Sequence, residues 1–114
     1  MKIKQFDIWI ADLEPQHGTE TGKVRPVVIV QTNLLNNLHP SSVVCPITTN
    51  IQKDSEILRI HIKKGASNLK VDSDIMIDQI RAIDNRRLVN KIGELNKELQ
   101  TKVKDNIKII LDLD

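Results

Sequence analysis

Reactive side chains crowd one stretch of this 114-residue chain, residues 14–25, which reads Glu-Pro-Gln-His-Gly-Thr-Glu-Thr-Gly-Lys-Val-Arg. Arg25 closes it and stands immediately before Pro26. A guanidinium offers five N–H donors in a flat fork matched to phosphate oxygens, and with a pKa above about 12 it holds charge better than it shuttles protons. The residue before a proline is pushed into extended geometry. Arg25 is therefore expected on a stiff strand end, as contact with a phosphate would need. Glu20 and His17 are the titratable neighbours, and either suits a general base if the loop folds toward Arg25. The plainer alternative is a surface arginine paired with Glu20.

Other candidates are weaker when read alone. Thr48 has the residue type of a good strand former. His39 and His61 read as ordinary loop and strand residues, and Arg81 with Asp84 as a structural ion pair or a cap on a turn. Three histidines and one cysteine show no metal-ligand spacing such as CxxC or HExxH, so no metal and no cofactor are expected. Cys45 is alone in an apolar run, which implies a buried, reduced thiol and a cytoplasmic chain.

The elements that must position these groups follow from the apolar pattern. Residues 5–13 place Phe6, Ile8 and Ile10 on one face and Trp9, Ala11 and Leu13 on the other, as a strand buried on both faces does. Residues 14–24 form a long loop in which Gly18 and Gly22 permit sharp turns and close backbone approach. Strands are expected over 25–32, 42–49, 56–62 and 73–83, with a further short one over 88–95. A helical turn is expected near 34–38. Pro46 marks an edge or a bulge in the third strand. Asn96 is placed to cap a C-terminal helix whose apolar face is Leu99, Val103, Ile107, Ile110 and Leu111. Five or six strands and one helix, without βαβ alternation, predict a mainly β protein: a small antiparallel barrel closed by a terminal helix.

Composition agrees with a single globular domain over residues 1–114. At this length a chain buries roughly 60 to 70% of its unfolded surface. Charged residues make up 28% and apolar residues 39%, an ordinary folded composition. The net charge of +2 and pI near 8.8 permit phosphate contact but fall below the bias that announces nucleic-acid binding. No apolar run approaches the roughly 20 residues of a membrane span, so no membrane partner is expected. Aromatics are confined to Phe6 and Trp9, too few for the stacking platforms of common RNA-binding modules.

Several motifs together are more specific. Asp-Ile-Trp at 7–9, Asp-Leu-x-Pro at 12–15 and Gly-x-Glu-x-Gly-x-x-Arg-Pro-Val-Val-Ile-Val at 18–30 closely resemble the N-terminal signature of the MazF/PemK/Kid toxin family. Pro-Ile-Thr-Thr at 46–49 and Asp-Gln-Ile-Arg-x-Ile-Asp at 78–84 resemble its later blocks. The resemblance implies an SH3-like barrel of the CcdB/PemK/MazF type, paired as a homodimer along barrel strands. It also implies a sequence-selective, metal-independent endoribonuclease that cuts single-stranded mRNA to a 2′,3′-cyclic phosphate and a 5′-hydroxyl. A cognate antitoxin is implied too, with an acidic disordered segment that occupies the RNA groove.

Carried over residue by residue, Arg25 is the catalytic arginine, assigned in the family as acid or base, and Thr48 the hydroxyl residue that partners it. Glu20 joins them as a lesser catalytic candidate. His17, Thr19, Thr49, Asp78 and Gln79 are candidates for substrate binding. Some relatives carry a catalytic histidine at the position of Thr19; His17 lies on the other side of Gly18 and does not take that role. Met76 departs from relatives that have an arginine there. Two alternatives keep the barrel: a CcdB-like gyrase-poisoning toxin, whose relatives end in Trp-Gly-Ile where this chain reads Ile-Leu-Asp-Leu-Asp, and a non-enzymatic SH3-like binding module.

Overall fold

Seven strands and one long helix organise the computed structural model, which describes residues 2–114. In chain order they are β1 (Asp7–Asp12), β2 (Val24–Ile29), β3 (Ser41–Thr48), β4 (Arg59–Ile62), β5 (Ser73–Met76), β6 (Arg81–Asp84), β7 (Leu88–Glu94) and α1 (Lys97–Ile110). All pairings are antiparallel; the strand order is β4-β5-β3-β2-β1-β7, with β6 also on β3.

β3 decides the architecture because it changes partners along its length. Residues 41–44 pair with β6, while Ile47 and Thr48 pair with β5. Cys45 and Pro46 fall at the changeover, paired on one side only, with Val28 and Val27 of β2. A proline is tolerated inside this central strand because no ladder needs its missing N–H on the changeover side.

The strands β6-β3-β2-β1-β7 curl into a barrel, and the 3-10 turn Asn85–Arg87 carries the chain directly from one end strand to the other. Ile3, Trp9, Ala11, Leu13, Val27, Ile29, Val44, Ile83 and Leu88 fill it. A second cluster lies on the opposite face of the same strands, where Ile8, Val28, Cys45 and Ile47 meet Ile60, Ile62 and Ile75 of β4 and β5 and Leu99 and Val103 of α1. Successive side chains of a strand point to opposite faces, so β1, β2 and β3 are buried on both. Each Val, Leu or Ile so enclosed contributes about 1.5–3 kcal/mol of transfer free energy. This is the SH3-like barrel with a terminal helix expected from the sequence.

The helix starts where its cap predicts. The Asn96 Oδ1 accepts from the Leu99 N–H at 2.9 Å. Residues 32–39 form the expected turn, with Asn36 N–H donating to the Thr32 carbonyl at 3.2 Å and His39 N–H to the Leu35 carbonyl at 2.9 Å.

Two expectations need correction. The strand read over 73–83 is two strands separated by the 3-10 turn Ile77–Gln79, because β5 and β6 serve successive halves of β3 and the chain must turn a corner between them. The strand read over 56–62 is only Arg59–Ile62. The preceding residues are drawn away to α1, where Asn106 Nδ2 donates to the carbonyls of Glu56 and Ile57 at 3.1 and 3.0 Å.

Candidate active site

Arg25 is the second residue of β2, paired with Ala11 of β1. Its neighbour β3 is in register through Val27↔Pro46, Val28↔Cys45 and Ile29↔Val44. Continuing that register by two residues sets Arg25 opposite Thr48. The ladder itself ends before them, since prolines at 26 and 46 leave both strands short of donors. Thr48 in turn pairs with Asp74 of β5, and Asp74 with His61 of β4. Four strands therefore lay Arg25, Thr48, Asp74 and His61 in one lateral row. One step along, Val27 pairs with Pro46 and Met76 with Arg59.

Both leading residues have spent part of their hydrogen-bonding capacity on the backbone, which fixes what remains. Arg25 Nε donates to the Gly22 carbonyl at 2.8 Å, leaving the four N–H groups of its two terminal nitrogens for a ligand. Thr48 Oγ1 accepts from the Asn50 N–H at 3.1 Å, so its own hydrogen is free to be donated. Partial burial pulls the Arg25 guanidinium below its ordinary pKa, against the opposing field of the Glu14 carboxylate. That direction eases proton release, but from a starting value above about 12. The group is built to stabilise negative charge.

The loop that precedes β2 is held by its own chain. Leu13 N–H donates to the Lys23 carbonyl at 2.9 Å, and the Glu14 Oε1 accepts from the Lys23 N–H. Gly22 is required by close approach: a Cβ there would stand 2.6 Å from Gln16 Cβ. Gly18 supplies the positive φ of the tip, at 56°. The glycines thus serve the loop's own folding, one by space and one by torsion.

Arg81, read from sequence as the partner of Asp84, is aimed elsewhere. Its Nη1 donates to the Thr21 carbonyl at 3.5 Å, one residue from the carbonyl that Arg25 holds. Asp84 instead pairs with Arg86 at 2.9 Å and caps the 3-10 turn by accepting from the Arg86 N–H at 2.8 Å. The pairing of Arg25 with Glu20 is likewise not formed; Glu14 is the carboxylate whose field Arg25 feels.

The remaining candidates divide by place. His17, Thr19 and Glu20 are exposed at the loop tip, where Glu20 N–H donates to the His17 carbonyl at 3.0 Å. Thr49 is exposed immediately past β3. Asp78 is exposed and Gln79 half-buried on the 3-10 turn that follows β5. No hydrogen bond or ion pair among the described residues joins any of these five side chains, or that of Glu20, to Arg25 or Thr48. Asp78 makes itself felt at Cys45, whose thiol is pushed up to about 12 by burial first and by that carboxylate second.

Sequence reasoning missed Asp74 and its partners. Asp74 is 1% exposed and accepts from Gln52 N–H at 2.9 Å, from Arg59 Nη1 at 3.3 Å and, through its other oxygen, from His61 Nδ1 at 3.3 Å. A signal was present: Arg59 and His61 alternate with core-facing Ile60 and Ile62, which puts both on the face that also carries Asp74 and Thr48. Among the described residues no group of three His, Cys, Asp or Glu side chains converges to hold a metal ion.

Residues 4–111 match the family model of the PemK-like, MazF-like toxin of type II toxin-antitoxin systems. Endoribonuclease EndoA of Bacillus subtilis (strain 168) is 38% identical over 113 residues, spanning 99% of this chain and 97% of the relative. MazF of Deinococcus radiodurans superposes with a TM-score of 0.86 at 18% identity, covering 99% of each chain. A mycobacterial endoribonuclease in complex with its cognate antitoxin superposes at 0.77 and 16% identity, covering 99% of this chain and 96% of that one. The chain belongs to the PemK-like, MazF-like toxin family of type II toxin–antitoxin systems.

Proposed function

We propose that the protein is a sequence-selective, metal-independent endoribonuclease that cuts single-stranded RNA, with Arg25 and Thr48 at the cut. The observation that carries the reading is the β2–β3 register, which, continued two residues past Val27↔Pro46, brings a partly satisfied guanidinium opposite a hydroxyl with a free hydrogen. Family membership and the 38% identity to an endoribonuclease support it. Neither the gyrase-poisoning nor the non-enzymatic alternative is favoured by these relatives.

In this reading the ribose 2′-oxygen attacks phosphorus in line. The new O2′–P bond forms as the P–O5′ bond breaks, giving the 2′,3′-cyclic phosphate and a 5′-hydroxyl. The 2′-hydroxyl proton passes to a base of the loop, Glu20 or His17, and the leaving 5′-oxygen takes a proton from water. Arg25 and Thr48 bind the phosphorane oxygens as their charge grows, the interaction that lowers a barrier most. His17, Thr19, Thr49, Asp78 and Gln79 form the rim that contacts the strand.

A homodimer, a cognate antitoxin and residence in the cytoplasm belong to the same proposal, as does a single domain over residues 1–114. Solved relatives in complex with antitoxins support the partner. No helix among the described residues is long and apolar enough to cross a membrane.

The test is incubation of the purified protein with long single-stranded RNA in EDTA, with cleavage sites mapped by primer extension. Cutting at a short recurrent word is expected, and Arg25→Ala should lower the rate by at least ~10²-fold, as removal of a main charge stabiliser does. Intact RNA across varied sequences, from folded protein, would refute it.

A further inference from the structure

Next to Thr48, on the far side of the row from Arg25, lies a cavity of about 650 Å³ lined by Lys53, Arg59, His61 and Asp74 and reached by Lys102 from α1. We propose that this cavity is a nucleotide subsite flanking the cut, in which Arg59 takes a phosphate and His61 reads an amino-bearing base, adenine or cytosine. This rests on the reading that Arg25 and Thr48 mark the cut.

Asp74 is the organiser. A buried carboxylate must be satisfied, and this one is, by the loop N–H of Gln52, by Arg59 and by His61. An ionised carboxylate only accepts, so the His61 Nδ1 facing it carries the proton. In the tautomer that carries its one proton on Nδ1, Nε2 is left as an acceptor, suited to the exocyclic amine of adenine or cytosine. His61 is accessible for this, with a side chain 45% exposed. Arg59 Nη1 is committed to Asp74 and to the Asn50 carbonyl at 3.0 Å, while Nε and Nη2 have no hydrogen-bond partner among the described residues. Arg59 stands directly across β4 and β5 from Met76, so this chain carries a guanidinium one strand away from the position where the sequence has methionine. Three cations (Lys53, Arg59, Lys102) against two carboxylates (Glu56, Asp74) leave the lining at +1 before His61 is counted.

Distance assigns the role. Neighbouring strands lie about 4.8 Å apart, so His61 is two spacings, about 10 Å, from Thr48. That is too far to share the phosphate held by Arg25 and Thr48 and suits the next part of a strand laid across the row. His61 and Arg59 therefore act on binding and choice of sequence, not on bond breaking.

The test compares wild type with Arg59→Gln, Arg59→Lys and His61→Ala in the full chain. One arm measures binding of a mixed-sequence oligodeoxynucleotide, which has the phosphates but no 2′-hydroxyl to attack, by fluorescence anisotropy from low to high salt. The other maps and times cleavage of a mixed RNA. Arg59→Gln should flatten the slope of log K against log salt by about 0.7, the value for one lost phosphate contact on a single strand, with Arg59→Lys restoring it. Its KM should rise by about tenfold, equivalent to 1.4 kcal/mol, with kcat nearly unchanged. His61→Ala should abolish a preference for adenine or cytosine at one position beside the cut while the melting temperature holds. Unchanged slope, KM and flanking preference would overturn the subsite, as would a fall in kcat alone. Weakened binding of a poly-glutamate peptide with unaltered RNA behaviour would assign the cavity to an acidic protein partner, which also overturns it. A wild type that binds the oligonucleotide but cuts no RNA would defeat the proposed function, and the salt slopes would still decide the subsite.

Discussion

A guanidinium and a hydroxyl become useful here because the backbone has already claimed one hydrogen-bonding group from each. The Gly22 carbonyl holds Arg25 by Nε and the Asn50 N–H holds Thr48 by its lone pair, so both are oriented before any ligand arrives. Arg25→Lys is accordingly not conservative: a lysine keeps the charge and loses the fork. Activity should fall by about as much as for alanine, roughly 10²-fold, measured as kcat/KM on a fixed RNA. Acid–base behaviour elsewhere can be checked one residue at a time. Hydrogen bonds from the Arg86 side chain and backbone hold the Asp84 carboxyl down to about 2. A depressed carboxyl favours the folded state above its unfolded pKa of about 3.9, and that contribution is lost as pH falls through the folded value. Carboxyl NMR should give an Asp84 midpoint near 2, and Arg86→Ala should raise it toward about 3.9. A midpoint that does not move would show that the ion pair is not the cause.

At the scale of elements, legibility in the sequence tracked how local the determining interaction is. The α1 cap is three residues from the N–H it accepts from, and Asn96 with the Leu99 and Val103 stripe was enough to place the helix. Asn96→Ala should cost about 1 kcal/mol in denaturant melts; a change below about 0.3 kcal/mol would mean that packing of Leu99 and Val103 alone fixes the helix start. Strand existence was legible from alternation, and Pro46 correctly marked an irregularity. The division of β5 from β6 was not, because it depends on β3 exchanging partners some thirty residues away in sequence. The row through Arg25, Thr48, Asp74 and His61 was half legible. Motif residues named Arg25 and Thr48, but Asp74 has meaning only through registers across β3, β4 and β5. The motif aspartate Asp7 carries a different lesson: it is 1% exposed and accepts from Lys4 N–H at 2.9 Å and Trp9 Nε1 at 3.4 Å while pairing with Lys91 at 3.1 Å. A signature residue can therefore be there to hold β1, not to touch a substrate. Asp7→Ala should lower stability by about 1–3 kcal/mol, the cost of stranding buried donors, with little change in kcat at a temperature where the variant stays folded.

The whole molecule is one sheet with a core on each face, and that arrangement determines how it should come apart. Trp9 reports on the barrel interior, where it packs with Leu13, Ile29 and Ile83. The helix belongs to the other core, through Leu99 and Val103 against Ile8, Val28 and Ile47. Adjacent residues of the same strands, such as Ile8 and Trp9 or Val27 and Val28, feed the two cores alternately. Neither core can dissolve without releasing the strands that wall the other. Tryptophan fluorescence and far-UV helicity should therefore fall together in thermal or urea unfolding at fixed protein concentration, with calorimetric and van't Hoff enthalpies equal, as a single cooperative domain requires. Val103→Ala, which opens a cavity in the helical core, should lower both midpoints equally by the equivalent of about 1–3 kcal/mol. Loss of helix at lower temperature than loss of the Trp9 signal would show instead that the terminal helix is an appendage on a self-sufficient barrel.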